Sequence, residues 1–120
     1  MTLEDFVLFF REELGIDVYP IQFPLTNPVE DCVVIDVVGG DCGVVSTVSI
    51  QVNARSTHPK MAENLLGEVI KKLNKLTNRV YNNTQIILIK SDVTHPYFLG
   101  QDETGKFLYS TRFRVLISEN

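Results

Sequence analysis

The chain has 120 residues, 44% hydrophobic and 22% charged, a length and balance that suit one globular domain with a real core. Its 11 basic and 15 acidic residues leave a net charge of −4, and its longest basic run is Lys71-Lys72, so tight non-specific binding to nucleic acid, which relies on neutralising phosphates, is not expected. No apolar run approaches the ~18 residues of a bilayer span, and the acidic start Met1-Thr2-Leu3-Glu4-Asp5-Phe6 is no secretory signal, so the chain is expected to stay in the cytoplasm where it is made.

In chain order, the first predicted element is a helix over about residues 3–14. Thr2 can cap it, with Asp5 in the capping-box position, and Gly15 is a natural stop. Leu3, Phe6, Val7, Phe10 and Leu14 share one stripe, which Phe9 widens. Leu8 points the other way, among Asp5 and Glu12. It is either a tolerated surface leucine or a subunit contact.

Pro20, Pro24 and Pro28 forbid a helix or a central strand over residues 16–30. A short edge strand near 18–22 and an irregular connection are expected there. Residues 32–38, nearly all apolar, predict a strand. Gly39, Gly40, Asp41 and Gly43 predict a turn, and 44–55 a second strand. Its alternation puts Val44, Val48, Ile50, Val52 and Ala54 on a buried face, with Thr47, Ser49, Gln51, Asn53 and Arg55 on a wetter one. Cys32 sits about six residues down the first strand from Cys42, a separation near 20 Å at ~3.3 Å per residue. A disulfide needs less than ~7 Å, so both are expected to be free thiols, as suits a reducing compartment.

A second helix is predicted over about 59–76, with Pro59 at its first position and Thr57 or His58 as cap. Ala62, Leu65, Leu66, Val69, Ile70, Leu73 and Leu76 form its apolar stripe. At ~1.5–3 kcal/mol for each large apolar side chain buried, this helix must lie across a sheet. Strands are predicted over 84–92 and 106–118, joined by an irregular loop of about 12 to 14 residues, a length that is usually functional or disordered. The expected fold is an α+β two-layer sandwich: a mostly antiparallel sheet of about four to five strands, with two helices on one face, in one domain over residues 1–120.

Candidate chemistry is thin. Gly100 to Lys106 matches the GxxxxGK part of a phosphate loop, but Phe107 replaces the Ser or Thr that holds magnesium, and a strand rather than a helix follows. His58 and His95 both sit in Thr-His-Pro triplets, where local capping of backbone groups explains them. Asp102-Glu103 diverge on a loop and lack a second carboxylate cluster for acid–base work. Two cysteines with no CxxC and no histidine pair do not make a zinc site. Asn82-Asn83-Thr84 is a glycosylation sequon without meaning in a chain that is not secreted. No catalytic residue, metal ligand or cofactor is assigned, and the protein is read as a non-enzyme.

Taken in order, several segments resemble the minor capsid and tail-terminator family of long-tailed bacteriophages and prophages. They are the N-terminal amphipathic helix, Asp31-Cys32-Val33-Val34-Ile35 leading to Gly39-Gly40, and the strand Ile50 to Arg55 before a helix with the early Ala62. Last comes Pro96-x-x-Leu99-Gly100-x-Asp102-Glu103-x-Gly105, followed by an aromatic-rich strand. The resemblance covers nearly the whole chain. It implies a non-enzymatic homo-oligomer in the virion tail or neck, commonly a hexameric ring. Such a ring caps the head-proximal end of the tail tube, stops tube polymerisation and meets the head-completion or connector protein. DNA would pass an acidic lumen without specific binding, because like charges disfavour adsorption. A head-closure, neck or minor capsid protein of the same virion is the alternative; a small-ligand-binding or enzymatic α+β domain is a more remote one.

The expected contact residues are Leu8, Gly39, Gly40 and Asp41 at the hairpin tip, and Tyr97, Phe98, Leu99, Asp102 and Glu103 in the long loop. Tyr97 to Leu99 serve either as interface anchors or as a plug for the domain's own core. Reversing the charges of Asp102 and Glu103 is expected to spare the fold and disturb assembly.

Overall fold

In the computed structural model, which describes residues 1–20, 32–43, 45–81, 83–92 and 95–119, the first helix α1 (Leu3–Leu14) is closed at both ends by its own sequence. Thr2 N–H donates to Asp5 Oδ2 at 2.9 Å and Asp5 N–H donates back to Thr2 Oγ1 at 3.2 Å, a complete capping box. Gly15 takes φ +68° and its N–H bonds the Arg11 carbonyl at 2.9 Å, the left-handed stop that glycine adopts without steric cost. Sequence expectations at Gln22, Pro24, Pro28, Asp31, Val44, Asn82, Val93 and Thr94 lie outside the described residues.

The elements that follow are β1 (Val18–Pro20), β2 (Cys32–Asp41), β3 (Ser46–Ser56), α2 (Pro59–Leu73), β4 (Leu76–Tyr81), β5 (Thr84–Ser91), β6 (Tyr97–Gln101) and β7 (Phe107–Glu119). Six strands run in the order β1-β2-β3-β7-β5-β4, and β6 pairs with β7 alone. Among the described residues only the β1–β2 pair is parallel.

This corrects the expected flat two-layer sandwich of four to five strands. Among the described residues the chain is a mixed α+β structure whose sheet has seven strands, six of them curled as a half-barrel. The curl has a local basis. Strands of 10, 11 and 13 residues accumulate twist. Register shifts fall between Val37 and Gly39, between Ile86 and Leu88, and between Phe98 and Gly100, and each such bulge bends its strand. The shift in β5 lets Ile86 and Ile89, three positions apart, both reach full burial, which strict alternation forbids.

Two strands account for the missing count. The expected helix to residue 76 stops at Leu73, because Asn74 leaves helical geometry at ψ 129° and Lys75 takes φ +66°. Tertiary bonds hold that break: Lys75 N–H donates to the Ile89 carbonyl at 2.7 Å and Ser91 N–H to Asn74 Oδ1 at 2.9 Å. Leu76 still packs against the core, but from a strand. Tyr81 pairs with Thr84 across the shortest hairpin, where Asn83 supplies φ +61°. The second addition is β6, which occupies residues expected to be irregular. The cap of α2 is also corrected: His58 is the N-cap residue, but its side chain makes no capping bond.

One hydrophobic cluster unites the elements. Phe6, Phe9, Phe10 and Leu14 of α1 and Leu66, Val69 and Leu73 of α2 meet Val33, Ile35, Ile50, Val52, Ile86, Phe113, Val115 and Ile117 of the sheet. The Phe10 and Phe113 rings cross edge to face at 6.5 Å, an arrangement favoured by their quadrupoles. No helix is long and apolar enough to cross a membrane, among the described residues.

Candidate interaction surface

Strand β7 is the spine on which the expected contact residues are arranged. Along one side it pairs with β3 from Phe107 to Ile117. Along the other, β6 takes positions Phe107 to Ser110 and β5 takes Phe113 to Glu119. Asp92 N–H bridges the gap by donating to the Arg112 carbonyl at 2.9 Å. The predicted loop is therefore largely a strand laid end to end with β5, followed by a tight turn.

Tyr97, Phe98 and Leu99 are 57%, 57% and 54% exposed, so they are not a plug for the core. Phe98 lies 5.3 Å from the Tyr109 ring and 6.5 Å from the Phe107 ring, continuing the aromatic row past the end of the core. Tyr97 and Leu99 lie instead along a groove with Gln51, Asp92 and Arg112. Strand β6 thus offers apolar side chains on both of its faces, a combination that soluble proteins ordinarily cover. Tyr109 is tied to α2 through Glu63. Burial, then the charge and hydrogen bond of Glu63, raise its hydroxyl above the ordinary 10.0.

The turn from β6 to β7 is built by Asp102. Its Oδ1 accepts from Thr104 N–H at 2.9 Å, Thr104 Oγ1 at 2.7 Å and Lys106 N–H at 2.9 Å. Its Oδ2 lies 3.8 Å from Arg55 Nη1, with side chains 24% and 10% exposed. Burial pushes the Asp102 carboxyl up, but the bonds from Thr104 and Lys106 and the nearby Arg55 outweigh it and hold the group below its ordinary 3.8. Arg55, expected on the wetter face, is buried and belongs to this turn. The charge reversal expected to spare the fold therefore suits the exposed Glu103 and not Asp102.

The second group lies at the other end of β7. Gly39, Gly40 and Asp41 are exposed near the β2–β3 tip, with Val37, Val38 and Val45 showing 38%, 41% and 44% of their surface. Gly40 has φ +157°, and a Cβ there would collide with the Thr47 carbonyl and sit 3.2 Å from Val48 Cα, so glycine is required by close approach. Leu8, 42% exposed, belongs to neither hairpin; it borders a groove on α1 with Leu3, Val7 and Pro20. Neither cysteine is bridged; Cys32 is buried and Cys42 exposed. No group of three or more His, Cys, Asp or Glu residues is placed to hold a metal, among the described residues.

The sequence reading missed the edge strand β4, where Val80 is 75% exposed. Asn82-Asn83 between two β-prone stretches was the available hairpin signal.

No curated protein matches the chain. The profile of the family described as "Bacteriophage tail terminator protein" matches residues 40–119, which take in the last two residues of β2 and every element from β3 to β7. That family is a structural one, and membership implies a place in the virion tail and contact with other tail or head components. The chain belongs to the bacteriophage tail terminator proteins.

Proposed function

We propose that this protein assembles as a ring, a hexamer on the family resemblance, that caps the head-proximal end of the tail tube. The ring stops tube polymerisation and presents its far side to the head-completion or connector protein. The observation that carries this is the placement of two unlike exposed hairpins at opposite ends of β7. Ser46 pairs with Ile117 at one end and Gln101 with Phe107 at the other, roughly 33 Å apart at ~3.3 Å per residue. A terminator must bind one partner below and another above, and this chain has a distinct exposed end for each. The net charge of −4 suits a lumen that DNA crosses without adsorbing.

Deleting the gene from the phage and imaging the particles tests the reading. Overlong tails are the expected result. Tails of normal length beside full heads that leak DNA would assign the protein to head closure instead. Mass measurement of the purified protein, with and without tail-tube protein, reads the ring directly.

A further inference from the structure

We propose that the sheet face turned away from the helices docks an extended acidic segment of another protein. An apolar residue of that segment sits against Tyr97 and Leu99, and two carboxylates, two positions apart, lie over Arg112 and over the Arg114–Lys90 pair. The inference stands apart from the ring proposed above and adds a partner chemistry to it. Side chains alternate along a strand. Phe113 and Val115 of β7 go to the core, so Ser110, Arg112 and Arg114 go to the opposite face. Register places Tyr97 opposite Ser110, Gln51 opposite Arg112 and Lys90 opposite Arg114. Tyr97, Leu99, Gln51 and Arg112 line one groove of about 400 Å³. In order along β7, the face therefore carries an exposed apolar pair, then one cation, then two. From Ser110 to Arg114 is roughly 13 Å at ~3.3 Å per residue.

Charge and spacing select the occupant. Arg112 and Lys90 are exposed, and neither side chain makes an ion pair among the described residues. Arg114 shares its charge with Asp92 Oδ1 at 3.5 Å and stays 58% exposed. In a chain of net charge −4, this is a local cationic strip, and complementary charge across a contact fixes register and partner choice. An extended segment laid along β7 turns every second side chain toward it, the same repeat as Arg112 and Arg114, so two carboxylates separated by one residue fit. The 15 acidic residues of this chain include no two that are two positions apart, so a strand of a second copy does not supply the pattern. Duplex DNA fits less well. Asp92 and Asp36, the latter level with Gln51, flank the cations, and a phosphate backbone would leave Tyr97 and Leu99 uncovered.

Titrating the isotope-labelled full-length protein with the peptides Leu-Thr-Asp-Thr-Asp and Asp-Thr-Asp-Thr-Leu, which cover both chain directions, tests the site. One of them should shift the amide signals of Tyr97, Leu99, Arg112 and Arg114 saturably, and the same peptide with Lys in place of Asp should not. Arg112→Gln, at an exposed position, should leave melting unchanged and raise the midpoint of the titration about tenfold. No shift at these residues with either peptide, or larger shifts there with a short DNA duplex at equal concentration, would overturn the proposal. In assembled tails, Leu99→Cys carrying a benzophenone label, with the exposed Cys42 changed by Cys42→Ser, should cross-link to a different protein at a segment with two carboxylates two positions apart. Cross-linking to a second copy of this chain would overturn the proposal as well. Neither readout depends on the ring: a protein that stays monomeric beside tail-tube protein yet binds the peptide removes the ring reading and keeps this one.

Discussion

The two exposed hairpins at the ends of β7 are held in opposite ways. The β2–β3 tip is shaped by a missing side chain: Gly40 fits because nothing larger can stand beside the Thr47 carbonyl. The β6–β7 turn is shaped by a side chain that is present: one Asp102 oxygen gathers bonds from Thr104 and Lys106 while the other faces Arg55. Steric exclusion shapes a tip beside which Val37, Val38 and Val45 are exposed. The hydrogen-bonded turn fixes β6 tightly enough to display three large apolar residues in a row. A rigid display suits a surface that must be recognised repeatedly, because little ordering entropy remains to be lost on binding.

This contrast can be broken first at Asp102. Asp102→Ala removes charge-assisted bonds and one ion-pair contact of a buried arginine, and should cost ~2–3 kcal/mol, read from urea unfolding. Glu103→Lys, one residue on and exposed, should cost less than ~0.5 kcal/mol and act on assembly alone. Next comes Gly40→Ala, expected to cost ~1–3 kcal/mol through strain at a disfavoured backbone geometry and to shift amide signals of the β2–β3 arm while leaving those of β6 in place. A smaller effect concerns pH. Asp102 has its carboxyl depressed in the folded state, so its contribution is present above the ordinary value of 3.8 and is lost as pH falls through the folded value. Asp102→Asn should flatten the acid limb of the stability curve below about pH 4. Smallest in stability is the pair Tyr97→Ser and Leu99→Ser, expected within ~0.5 kcal/mol of wild type yet defective in joining one partner. Unchanged tail length and head attachment in that variant would remove β6 from the contact surface.

Local rules were legible wherever one residue type answers one local need. Thr2, Asp5 and Gly15 bounded α1, and the alternation of Ile50, Val52 and Ala54 marked the buried face of β3. The long helix 59–76 misled because Leu76 fits a helical stripe and a strand equally well, and the bonds of Lys75 to the Ile89 carbonyl and of Ser91 to Asn74 Oδ1, distant in sequence, settle the choice. β6 was hidden because Pro96 and Gly100 read as loop residues, while pairing with one side of β7 satisfies their neighbours' backbone groups regardless.

Of the contact surface, the sequence marked the residues but not their relation. Tyr97 to Leu99 and Gly39 to Asp41 are unusual in composition, and that is visible in one dimension. That they stand at opposite ends of one strand, that Asp102 is part of a turn and not a free charge, and that the sheet curls are matters of register. Side-chain preference is local and written in the order of residues. Strand register is fixed by hydrogen bonds between segments dozens of residues apart, so only the folded chain decides it.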